Sequence, residues 1–122
     1  MEHKLEAIAV PVSDVDRARH FYRALGFRLD FDQADGAGHR VVRLTPPGSL
    51  CSILIGTDIT SSVPGSTVAV LTVTDLDTAT AALQARGAAV NPAPDCRDGH
   101  PCALFGDTDG NRWLLVEAEP GS

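Results

Sequence analysis

The sequence predicts an α+β fold made of two tandem β-α-β-β-β modules, and three observations carry that prediction. A helix is written twice: Ser13-Asp14-Val15-Asp16 opens a stretch that closes at Gly26, and Thr74-Asp75-Leu76-Asp77 opens another that closes at Gly87. Asp75 follows Asp14 by 61 positions, and the same offset pairs Val12 with Val73, Ala18 with Ala79 and, continued without a gap, His39 with His100 and Ile53 with Leu114. The apolar runs around both helices are strand-sized. A repeat of about sixty residues accommodates one helix and several strands.

Taken in order, residues 5–12 form an apolar run that ends at Pro11 and feeds the first helix, which reads as a buried strand. In each helix a hydroxyl residue precedes an acidic first turn whose side-chain oxygens can accept from the orphan backbone N–H groups. Apolar residues follow at helical spacing, Val15, Ala18, Phe21, Tyr22 and Leu25, then Leu76, Ala79, Ala82 and Leu83, up to a glycine suited to the left-handed C′ position. Residues 27–32 alternate apolar with charged, the pattern of a strand with one wet face. Residues 39–44 and 50–55, separated by Pro46-Pro47-Gly48, read as the third and fourth strands. The second module predicts strands over 67–73, 88–90, 103–105 and 112–117. Residues 91–101, with three prolines, read as a loop carrying two carboxylates, a guanidinium, a thiol and an imidazole. Asp107-Thr108-Asp109-Gly110-Asn111 reads as a tight turn into the last strand. The expected organisation is one domain over 1–122, with module one at 4–56, a linker at 57–66 and module two at 67–118.

At 122 residues and 43% hydrophobic, the chain has the composition of one globular domain. Sixteen acidic against ten basic residues, a formal charge of −6, exclude a partner held by its phosphate backbone, so no nucleic acid is expected. No run is long enough to cross a bilayer and the N-terminus lacks a signal-peptide core, so no membrane partner and a cytoplasmic location are expected. Three cysteines without a Cys-x-x-Cys pair read as free thiols.

Two such modules, each with a V-[ST]-D-[VL]-D helix start (Val12 to Asp16, Val73 to Asp77), together with His20-Phe21-Tyr22 and Asp107 to Asn111, resemble the vicinal oxygen chelate superfamily of glyoxalases, bleomycin-resistance proteins and extradiol dioxygenases. The resemblance implies curled mixed sheets around a cavity, and a homodimer in which modules of two chains share it. It also implies metal ligands on the first and fourth strands of each module, but those positions here are Ala7, Ile53, Val68 and Leu114. None offers a lone pair, so no metal and no cofactor are expected, and mechanisms that need the ion as Lewis acid fall away.

What remains resembles the metal-free branch, whose cavity sequesters a bulky ligand. Alternation from the four positions places Leu5, Ala7, Ala9, Cys51, Ile53, Ile55, Val68, Val70, Thr72, Arg112, Leu114 and Val116 on the inner surface, which suits a small apolar or aromatic natural product or antibiotic. Arg40, Arg43 and Arg97 either salt-bridge locally or hold an acidic or phenolic ligand. The alternative is a metal-independent cyclase, isomerase or dehydratase with His100 or Asp95 as the proton carrier. Trp113 alternates away from Leu114 and is expected in the core.

Overall fold

A computed structural model describes residues 2–97 and 100–118 and, within them, all side chains except those of 94–97 and 100. Two mixed four-stranded sheets, neither closed, repeat one plan. The first comprises β1 (Ala7–Ala9), β2 (Arg28–Ala34), β3 (Arg40–Thr45) and β4 (Ser52–Gly56) in the order β1-β4-β3-β2, with α1 (Val15–Ala24) between β1 and β2. The second comprises β5 (Val68–Val73), β6 (Asn91–Arg97), β7 (His100–Gly106) and β8 (Arg112–Glu117) in the order β5-β8-β7-β6, with α2 (Leu76–Ala85) between β5 and β6. In each sheet the first strand runs parallel to the last and the other pairings are antiparallel.

The helices start and stop for the reasons their sequences give. Asp14 Oδ1 accepts from Arg17 N and Asp75 Oδ1 from Thr78 N, both at 3.1 Å, so the caps are these aspartates rather than Ser13 and Thr74. At the far ends Gly26 (φ +98) and Gly87 (φ +100) take the left-handed turn, and Phe27 N and Ala88 N reach back to Tyr22 O and Leu83 O. One face of each sheet and the inner faces of the helices form one core. Val10, Tyr22, Val42, Leu44 and Ile55 lie in it beside Phe105, Trp113 and Leu115.

The region expected as a loop over residues 91–101 is instead mostly a β-hairpin, β6 with β7. Pro92 and Pro94 fit there because β6 is an edge strand, where a missing backbone N–H leaves no partner unsatisfied, and the register slips between Ala93 and Arg97. The strand expected over 88–90 starts later, at Asn91. Asp98 and Gly99 lie outside the described residues. Cys51 is a free thiol, as expected, whereas Cys102 is disulfide-bonded, which corrects the reading of all three cysteines as free.

Candidate functional site on the open sheet faces

Each sheet packs one face into the core and leaves the other partly open, and strand register decides which side chains stand on the open one. In the second sheet Val68 pairs with Arg112, Val70 with Leu114 and Thr72 with Val116, so these six share the open face. Val68 and Val70 are 50% and 54% exposed, whereas Ala69, Trp113 and Leu115 between them are buried. In the first sheet Ala7 pairs with Ser52, Ile8 with Ile53 and Ala9 with Leu54. The open face there carries Ala7, Ala9, Ser52 and Leu54, while Ile53 and Ile55 point into the core.

That assignment corrects the expected inner surface at β4. The core pair Leu44 and Ile53 matches the core pair Phe105 and Trp113. Nine positions separate the first pair and eight the second, so the loop between β3 and β4 holds one extra residue and the offset from there on is 60. A slip of one residue turns every side chain of a strand to its other face. Leu54, not Ile53, therefore corresponds to Leu114.

Leu5, Cys51, Ile53, Val68 and Val70 nevertheless come together along a crevice of about 330 Å³ between the β1 and β5 edges, floored by Trp113. The three arginines part company. Arg40 lies on the helix side, where its Nε and Nη2 donate to Asp32 at 2.8 and 2.7 Å and its Nη1 to Asp16 at 2.7 Å. These bonds, with Arg19, hold the Asp32 carboxyl below its usual range, and they tie Arg40 to two carboxylates on the side away from the open face. Arg43 alternates with buried Val42 and Leu44 and so stands on the open face, where its Nε donates to Ser52 Oγ at 3.1 Å. The side chain of Arg97, like those of the proton-carrier candidates Asp95 and His100, lies outside the described residues.

Sequence reading missed the polar group around Arg43. Thr45 and Ser52 are buried hydroxyl residues 2.7 Å apart, and Thr45 also donates a short hydrogen bond to Asp30. Thr45 foremost, then Arg28, depress the pKa of Asp30, which is therefore ionised at neutral pH. Asp30 shares this face with Arg28, which pairs with Thr45, and the bulge between Leu29 and Phe31 then sets Phe31 opposite Arg43 and Asp32 opposite the core residue Val42, a switch of faces that the apolar-polar alternation of 27–32 gave no sign of.

A second cleft, about 360 Å³, lies on the helix side among Leu25, Phe27, Leu71, Ala82 and Leu83, with Arg86 at its rim. Its lining has no hydrogen-bonding set like that of the open face. Among the described residues no three His, Cys, Asp or Glu side chains converge so as to hold a metal ion. Metal ligands were expected at Ala7, Ile53, Val68 and Leu114; with Leu54 in place of Ile53 on the observed register, all four positions carry hydrocarbon side chains, which do not fit a metal ion.

Residues 4–115 match the family model of the Glyoxalase/Bleomycin resistance protein/Dioxygenase superfamily. Among solved structures, TnmS3, an antibiotic binding protein from Streptomyces sp. CB03234, is 32% identical with a TM-score of 0.80, over 97% of this chain and 98% of its own. A glyoxalase/bleomycin resistance protein from the same strain is 34% identical (TM-score 0.75, over 93% and 99% of the two chains). A superfamily member from Sphaerobacter thermophilus DSM 20745 is 29% identical (0.78, over 96% and 98%).

Proposed function

Because the chain belongs to the Glyoxalase/Bleomycin resistance protein/Dioxygenase superfamily, and because hydrocarbon side chains stand where a metal would be held, we propose that it is a metal-independent binding protein that sequesters an apolar or aromatic natural product or antibiotic. The observation that carries this reading is the open face itself. Val68, Val70, Leu114 and Leu54 supply apolar surface, Ala7 and Ala9 leave room, and one polar cluster stands beside them, the composition of a site for a medium-sized organic molecule. The likeness to an antibiotic binding protein at 32% identity supports it.

A second copy covers the face. Leu5, Val68 and Val70 are exposed, and β1 and β5 each leave one edge unpaired, an arrangement that favours association. Light scattering is expected to give about twice the chain mass of 12.8 kDa; a monomer mass at micromolar concentration contradicts the pairing.

Calorimetry against a panel of polycyclic aromatic compounds tests the binding role. Binding with a negative heat-capacity change and recovery of the ligand unaltered are expected. Conversion of the ligand to product, or no binding across the panel, overturns the reading.

A further inference from the structure

We infer that Arg43 orients the ligand on the open face, and that the ligand carries two coplanar oxygens sharing a negative charge, as in a carboxylate, on its aromatic body. The inference rests on the binding role proposed above. Its basis is a chain of hydrogen bonds in which each proton has one destination. Thr45 gives its hydroxyl proton to Asp30, so its oxygen is left to accept from Ser52 across 2.7 Å. Ser52, having donated to Thr45, accepts from Arg43 Nε at 3.1 Å. The order is fixed as Arg43 to Ser52 to Thr45 to the Asp30 carboxylate, and the two hydroxyl residues are 2% and 3% exposed.

This chain holds the guanidinium by its Nε edge and leaves Nη1 and Nη2 as an open fork. Among the described residues neither nitrogen makes a hydrogen bond. Glu6 Oε2 stands 3.8 Å from Nη1, and Asp30 Oδ2 stands 3.7 Å from Nε. Arg40, three residues before Arg43 and therefore on the opposite, helix side, has each of its three nitrogens bonded to a carboxylate. A planar fork pre-set by buried hydroxyls matches a carboxylate bidentately, and a lysine ammonium does not. Glu6, its side chain 80% exposed, competes weakly for the same fork.

Fluorescence titration with pyrene-1-carboxylate and its neutral isostere pyrene-1-carboxamide tests this. Wild type is expected to bind the carboxylate about tenfold more tightly or better. Arg43→Gln should erase that preference while leaving carboxamide affinity within about threefold, Arg43→Lys should restore only part of it, and Ser52→Ala should weaken the carboxylate alone. Glu6→Gln, at an exposed position that leaves folding intact, should tighten carboxylate binding about two- to fivefold. Equal affinity for the two probes in wild type, or a preference that survives Arg43→Gln, overturns the inference and leaves the binding role standing. Failure of both probes to bind refutes the binding role and this inference with it.

Discussion

Tyr22 is the only tyrosine of the chain, and its hydroxyl joins the two halves of the molecule. It donates to Asp107 Oδ2 at 2.5 Å and accepts from Trp113 Nε1 at 3.1 Å. Asp107 also accepts from Asn111 Nδ2 and from the backbone N–H groups of Asp109 and Asn111, so this buried carboxylate is fully engaged. Tyr22→Phe leaves Trp113 Nε1 without its acceptor, and is expected to destabilise the fold by about 1–3 kcal/mol in denaturant unfolding. Burial first, then the Asp107 bond, push the phenol pKa well above its ordinary value of 10.0. The stabilisation is therefore complete below pH 10 and is lost as pH rises above it, because the unfolded phenol ionises first. Phenolate absorbance in an alkaline titration should appear only together with unfolding; ionisation of a still-folded chain would contradict the burial argument.

At the scale of elements, β4 separates what sequence periodicity reveals from what it hides. Ile55 is fully buried and Leu54 stands half-buried on the open face. Ile55→Ala should cost about 2–5 kcal/mol in unfolding free energy and Leu54→Ala under about 1.5. The reverse order would restore the register expected from an unbroken 61-residue repeat. The helices were legible because capping aspartates, apolar spacing and terminal glycines are local signals. The β4 register was not, because an extra residue in a loop around Pro46-Pro47-Gly48 changes no local pattern in the strand that follows. The β6–β7 hairpin was hidden by prolines that read as breakers and are tolerated on a sheet edge.

For the whole molecule, the turn Asp107 to Asn111 is a clasp. Asn111 Nδ2 donates to Pro11 O at 2.8 Å, Asn111 Oδ1 accepts from Thr67 N at 3.0 Å, and Asp109 accepts from Ser13 Oγ at 2.6 Å. The motif that pointed to the fold is thus spent on joining the two halves, and Asn111→Ala should lower stability by about 2 kcal/mol or more while leaving the open face chemically intact. The apolar members of the candidate site could be read from alternation in β1, β5 and β8. Its polar cluster could not, since the bonding of Thr45 to both Asp30 and Ser52 comes from tertiary register. The most direct test is a map of backbone amide chemical-shift changes as pyrene-1-carboxylate is added. Changes are expected on β3, β4, β5 and β8, centred on Arg43, Leu54, Val70 and Leu114. Changes confined to the helix-side cleft around Phe27, Ala82 and Leu83, or none at saturating ligand, would contradict a binding site on the open sheet faces.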